Sequence, residues 1–439
     1  MKQLLCTITH CTIYFLNLTK PEMIRTPMQR IWQNTCYSFH RMPRLIKKFW
    51  PPSKKLSTNL PRLTKDSKRV ALVITRLDRG GSAELTMQLA AGLSQNGYTV
   101  LLISGKTVEP FWDPVQYAHD NNFSLQYVNS LIRSLHPIRD IVALIQIVNI
   151  FRKFRPDILH TNSSKAGLLG RLAGHLCGIR KIYHSPHGHI FYGYYNRLIS
   201  KTFILLEKLV ARYTNKILNL TEAGRRDHIT ERIARPEKFI VSSCGVELEP
   251  FQKSPSGNIL NPPEDSLSLI WVGRIVPIKN LQMLLDALVI VKQSNIKLHV
   301  NIVGDGELRQ ESEDFVRKNN LEMVNFLGYR TDIPELLAKN DVFILTSINE
   351  GFGRVLVEAM VCGLAIIATR VGGVPEIIHH GENGLLIESR NHQQLAESIL
   401  YLGQNREKRQ DIGIKNIKNA EFYSLNHYIN RVLTIYNNY

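Results

Sequence analysis

The chain has little cysteine, no long apolar run and almost no acid at its start. Its six cysteines, Cys6, Cys11, Cys36, Cys177, Cys244 and Cys362, form no C-x-x-C pair and no metal-ligand spacing. That argues against a disulfide framework or a zinc site and predicts reduced, unpaired thiols in a cytosolic setting. No D-x-D occurs anywhere, so a paired-carboxylate clamp for a divalent ion is missing and no metal site is expected. The apolar stretch at residues 4–18 is broken by Thr, His and Asn. It is shorter than the roughly 20 residues a spanning helix needs, and no clear small-x-small cleavage site follows it. Residues 1–69 hold only two acids, Glu22 and Asp66, against 14 basic side chains, so +12 of the net +18 lies there.

This basic arm, residues 1–66, has prolines at 21, 27, 43, 51, 52 and 61 and no sustained periodicity, which predicts poor order. Ile46, Phe49 and Trp50 beside Arg44, Lys47 and Lys48 suit contact with an anionic bilayer surface. An Arg-rich, acid-poor leader also resembles a transit peptide, and Met28 or Met42 are alternative starts. The arm lacks the interleaved aromatics of a nucleic-acid module, so no nucleic-acid partner is expected. Beyond it, 44% apolar and 21% charged residues in a 439-residue chain predict a soluble protein with two cores.

Residues 67–250 read as one doubly wound domain. Short apolar runs at 70–75, 98–104, 124–128, 157–161, 181–184, 216–221 and 239–242 predict strands separated mostly by helix-period segments. Three of the turns that follow them carry candidate chemistry. RLDRGGSAE places Gly80 and Gly81 where backbone can approach a ligand closely, before a helix over 83–95. HTNSSKAGLLGR places Lys165 in the first turn of another helix. HSPHGHIFYGYY sets His187 and His189 on either side of Gly188, just past a strand. The segment 197–212, with an apolar face and basic residues on the other, reads as a packed helix with a wet side.

Pro, Ser, Gly and Asn mark residues 251–266 as a linker, and a second domain is expected over 267–420. Strands are predicted at 267–272, 298–303, 324–327, 342–345 and 365–368. The first ends in GRIVPIKN, where Arg274 and Lys279 bracket a turn at a helix start, a fork and a point charge suited to a diphosphate. The next two end at Gly304 and Gly328. Between 341 and 376 the pattern runs strand, loop, helix, strand, loop, helix. Glu350, Gly351, Phe352 and Gly353 sit in the first loop, Glu358 lies further along the helix, and Gly372, Gly373 and Pro375 follow in the second loop. In parallel sheets such loops line a crevice outside the strands' carboxyl ends, and two carboxylates at different depths suit a ligand with hydroxyls along its length. Residues 421–439 form a last helix able to return to the N-terminal domain.

The set GRIVPIKN, GDG, EGFGRVLVE and GGVPE, in this order, resembles the retaining nucleotide-sugar glycosyltransferases of family 4. ITRLDRGGSAE, HTNSSKAGLLGR and HSPHGHIFYGYY resemble the branch that builds bacterial surface polysaccharide and lipopolysaccharide. The resemblance covers residues 68–435. It implies the α/β GT-B fold, two doubly wound Rossmann-like domains facing across a cleft. The N-terminal domain would be the acceptor side and 267–420 the nucleotide-sugar side. By position, Arg274 and Lys279 would bind the donor diphosphate, Glu358 the ribose hydroxyls, and Glu350 would lie at the sugar's hydroxyls and reacting face. Gly81 would approach the phosphate and His187 the transferred sugar, with Gly304, Gly328, Gly351, Phe352 and Gly353 lining the donor site. Gly80, Lys165 and His189 are acceptor-side candidates. Asn162 stands where the family pattern has a second histidine. The resemblance further implies a UDP-sugar donor, a glycan or polyprenyl-linked acceptor, no metal requirement, and work in the cytoplasm, at most peripheral on the membrane's inner face. Alternatives are a nucleotide-sugar 2-epimerase on the same fold and a non-enzymatic protein binding through its basic arm.

Overall fold

The computed structural model describes residues 67–187, 197–252 and 266–439. The basic arm, residues 253–265 of the linker region, and His189 lie outside them. The first domain holds strands β1 (Arg69–Ile74), β2 (Thr99–Ser104), β3 (Ser124–Tyr127), β4 (Ile158–Asn162), β5 (Lys181–Ser185), β6 (Lys216–Asn219) and β7 (Phe239–Val241). The second holds β8 (Ser266–Val272), β9 (Lys297–Val303), β10 (Val324–Gly328), β11 (Val342–Leu345), β12 (Ala365–Thr369) and β13 (Leu385–Ile387). They form two sheets, in the orders β3-β2-β1-β4-β5-β6-β7 and β10-β9-β8-β11-β12-β13, and every pairing is parallel.

Strands such as VFIL in β11 and AIIAT in β12 are buried along their whole length, because helices cover both faces of a parallel sheet. β13 is the strand that periodicity does not announce. It is three residues, LLI, after a turn through Asn383 and Gly384, too short for a period to show. Strand order reverses between β1 and β4 and between β8 and β11, the switch points beside which a doubly wound sheet opens a crevice.

The last helix, Leu425–Asn438, lies against the Gly81–Gln95 helix of the first domain. Ser424 caps it by accepting from the His427 N–H. Gly92 makes room for the contact, since a Cβ there would stand 2.3 Å from Ile429 Cδ1. Ile429, Val432 and Ile435 are buried, each contributing about 1.5–3 kcal/mol by removal from water. They join an apolar cluster that runs from Leu89 and Leu93 to Leu356 and Met360 of the second domain.

At the far end of this helix a polar network is sealed inside. His160, fully buried on β4, bonds the Tyr436 hydroxyl through Nδ1 at 2.7 Å and Ser185 Oγ through Nε2 at 2.8 Å. Burial pushes the His160 pKa down to about 3, so the ring is neutral and both nitrogens are used. Tyr436→Phe removes one partner and leaves the other polar atom unpaired without water. It is expected to cost about 1–3 kcal/mol, read as a lowered urea midpoint.

Candidate active site

At the second domain's switch point the backbone is drawn tight. Gly304, at φ +135°, sits so close to β8 that a Cβ would fall 1.8 Å from the Gly273 carbonyl oxygen, and its N–H donates to Gly328 O at 2.8 Å. Only glycine permits this approach, so Gly304 acts here through its missing side chain. Past β8 the chain exposes Arg274, which has no side-chain partner among the described residues. A single 3-10 turn, Pro277–Lys279, and a left-handed Asn280 at φ 49° then lead into the Leu281–Val291 helix. Thr346, just past β11, donates to the Lys279 carbonyl at 2.9 Å and accepts from Trp271 Nε1 at 3.1 Å. The two strand tops are thereby tied together.

That tie lets Lys279 Nζ meet Glu350 Oε2 at 2.5 Å, with the Ser347 hydroxyl donating to the same oxygen at 3.1 Å. Both side chains are largely shielded, 23% and 16% exposed. Lys279 is therefore compensated locally, with two ammonium protons still available, while Arg274, on the same segment leaving β8, is an exposed cation. Gly353, at φ +81°, starts the Arg354–Val361 helix. Phe352 is buried and packs edge-on against Tyr423, ring centres 5.6 Å apart. Its side chain serves the core rather than a ligand face.

Glu358 is half-buried one turn into this helix. Loss of hydration pushes its pKa up to about 6; Arg354 opposes the shift and Glu84 adds to it. The neighbouring Cys244 thiol, fully buried, is pushed up to about 11, again mainly by burial.

From the first domain, Gly80 (φ +152°, ψ +151°) opens the turn into the Gly81–Gln95 helix, a conformation that glycine alone tolerates. The space over Gly81 belongs to Arg354, whose Cδ would be 2.9 Å from a Cβ at that position. The Arg354 guanidinium pairs with Glu84 Oε2 at 3.0 Å and lies 3.4 Å from the Gly81 carbonyl. Arg79 stacks over the Tyr329 ring, 4.2 Å from its centre. Both contacts cross the cleft, and sequence reading passed over Arg354 and Glu84. A signal existed: an arginine at the first position of a helix opposes the helix dipole and so asks for an acidic partner.

His187, left-handed at φ 54°, bonds Asn162 Oδ1 through Nε2 at 2.8 Å. Burial pushes its pKa down to about 4. The neutral ring must carry its proton on Nε2, because a carbonyl oxygen only accepts, and Nδ1 is left as an acceptor. Asn162, fully buried at the end of β4, thus holds His187. Lys165 is only 10% exposed; its ammonium is 2.6 Å from Asp140 Oδ1 and bonds the Ser134 carbonyl. Its charge is used inside the first domain.

A third crossing is made by the GGVPE loop. Both oxygens of Glu376 accept backbone N–H groups of the first domain, Glu222 N and Ala223 N, each at 2.7 Å. The Thr221 hydroxyl donates to Gly351 O at 3.4 Å. Among the described residues no group of three His, Cys, Asp or Glu side chains is placed to hold a metal ion. Among them, too, no helix is long and apolar enough to cross a membrane.

Two Rossmann-like domains joined by contacts across a cleft, with a Lys–Glu pair and glycine-tight turns at the strand tops of the second, have the GT-B architecture, and the matches to known families make the chain a glycosyltransferase. Residues 79–250 match the family described as Glycosyltransferase Family 4, and residues 254–419 match Glycosyl transferases group 1. The chain is 30% identical over 312 residues to the Escherichia coli UDP-Gal:alpha-D-GlcNAc-diphosphoundecaprenol alpha-1,3-galactosyltransferase, covering 68% of this chain and 79% of that protein. It is 24% identical to the Staphylococcus aureus capsular polysaccharide biosynthesis glycosyltransferase CapM, over 69% of this chain and 81% of that one. Among solved structures, Anabaena HepE in complex with UDP and glucose superposes with a TM-score of 0.72 at 20% identity, covering 85% of this chain and all of that one. The chain belongs to the family 4 glycosyltransferases.

The raised pKa of Glu358 has a definite sign. Its folded value, about 6, exceeds its usual 4.5, so keeping it ionised costs stability above pH 6, and the cost vanishes below pH 4.5. Glu358→Gln is expected to melt higher than wild type at pH 7.5, with the difference shrinking as pH falls through 6. Thermal midpoints at pH 4.5, 6 and 7.5 test this.

Proposed function

We propose that this glycosyltransferase is retaining, uses a UDP-sugar, and transfers the sugar to a glycan or polyprenyl-linked acceptor in cell-surface polysaccharide synthesis. The observation that carries the reading is the Lys279–Glu350 pair at the β8/β11 switch point, with Arg274 exposed just past β8. In this reading the acceptor oxygen forms a bond to the anomeric carbon from the face that UDP leaves. The bond from that carbon to the diphosphate oxygen breaks, UDP departs with the electron pair, and the acceptor proton passes to a phosphate oxygen.

The charge that develops on the diphosphate is what needs stabilising. Arg274 offers a fork and Lys279 its remaining donors, without a metal ion. Glu350 positions Lys279 and lies at the sugar's reacting face, Glu358 accepts from the ribose hydroxyls, and neutral His187 presents Nδ1 to a sugar hydroxyl. A UDP complex of a structural neighbour and the UDP-galactose and diphosphoundecaprenol in a relative's name support the choice of nucleotide and acceptor class. The basic residues 1–66 suit peripheral work on the cytoplasmic face of an anionic membrane, testable by flotation with acidic vesicles.

Calorimetric titration with UDP and GDP tests the donor assignment. UDP is expected to bind, and Arg274→Ala, Lys279→Ala and Glu358→Ala to weaken it tenfold or more each, at least about 1.4 kcal/mol. Turnover is expected to survive EDTA, and the product's anomeric configuration by NMR should match the donor's. Inversion, or binding of neither nucleotide, would overturn the reading.

A further inference from the structure

The Glu376 contact is built more tightly than domain packing requires. The Glu222–Thr230 helix begins with Thr221 as its cap, and the Thr221 hydroxyl accepts from Gly224 N. This leaves the N–H groups of Glu222 and Ala223 to find partners. Both oxygens of one carboxylate take them, at 2.7 Å each, and that carboxylate comes from the other domain. A negative charge on two helix N-terminal donors is a strong, directional contact.

The same loop is wedged against the acid at the reaction centre. Gly373 donates to the Glu350 carbonyl at 3.0 Å, and a Cβ on Gly372 would stand 2.0 Å from that carbonyl oxygen. On the opposite side, a Cβ on Gly373 would stand 2.3 Å from Thr221 Cγ2 of the first domain. The loop from Gly372 to Glu376 therefore touches Glu350 on one side and the capped helix on the other, with no side chain to spare between them. Thr221 closes the circuit through Gly351 O.

We infer that Glu376 is a positioning residue: by capping the Glu222–Thr230 helix across the cleft it seats the Gly372–Gly373 turn against Glu350 and so sets the geometry of the Lys279–Glu350 pair. The assignment concerns closure and alignment rather than contact with substrate. Its kinetic arm rests on the UDP-sugar reading above, and its structural arm does not.

The test compares wild type with Glu376→Ala and Glu376→Gln by backbone hydrogen exchange and by UDP release from a panel of UDP-hexoses with a polyprenyl-diphosphate-linked sugar present as acceptor. In Glu376→Ala the Glu222, Ala223 and Gly373 amides are expected to exchange faster, with both sheets protected as in wild type. The kcat should fall about ten- to hundredfold, the scale of a small misplacement in a preorganised site, while donor KM stays near the wild-type value. Glu376→Gln keeps one accepting oxygen and should fall between the two; it also carries the test if the alanine variant fails to fold. Unchanged exchange at Gly373, an unchanged kcat, or a raised KM with kcat intact would each overturn the assignment. Absence of UDP release from wild type would instead count against the donor reading, and the exchange comparison would still decide whether Glu376 couples the helix to Glu350.

Discussion

The parallel pairing of β8 with both β9 and β11 is the constraint on which the site rests. A strand flanked on both sides by parallel neighbours ends level with them, so the segments leaving the three strands must share one small area. Gly304 lies so close to Gly273 there that a Cβ would fall 1.8 Å from the Gly273 carbonyl oxygen, and its N–H reaches the Gly328 carbonyl. Arg274 and Lys279 leave from β8, Ser347 and Glu350 from β11, and Thr346 locks the two exits together. Lys279 and Glu350 meet because the topology brings the exits of β8 and β11 together.

Across the cleft, the first domain answers with contacts that are mostly ionic or to backbone. Arg354 pairs with Glu84, Arg79 covers Tyr329, and Glu376 caps a helix. Such contacts are directional and partly hydrated, so they can be made and broken at moderate cost, unlike a continuous apolar interface. The apolar continuity between the domains is supplied elsewhere, by the last helix and the cluster around Ile429 and Val432. One part of the molecule joins the domains by apolar packing, and another by directional polar contacts across the cleft. In the first domain, buried Asn162 holds His187 in its neutral form with one nitrogen free to accept. The departure from the family pattern at residue 162 thus has a visible role, in holding the histidine.

Much of this was legible in the chain. Continuous apolar runs such as residues 342–345 and 365–368, each followed by a glycine turn and a helix pattern, fit a parallel sheet covered on both faces. The segments holding Arg274, Lys279 and Glu350 could be read as the turns that leave β8 and β11. β13 was not legible, because three apolar residues carry no period. Nor could the sequence show that Lys279 is compensated by Glu350, that Phe352 faces the core, or that Lys165 spends its charge on Asp140. Each depends on which side chain reaches which neighbour.

The sequence by itself determined the two-domain α/β architecture and the motif-bearing turns, because hydrophobic period and glycine placement are local properties. Only the tertiary structure decided the partners of Arg354, Glu376 and Asn162. These lie far apart in sequence from what they touch, Glu376 from Glu222 by 154 residues. A charge in a sequence is a demand for a partner, and the fold decides which group meets it.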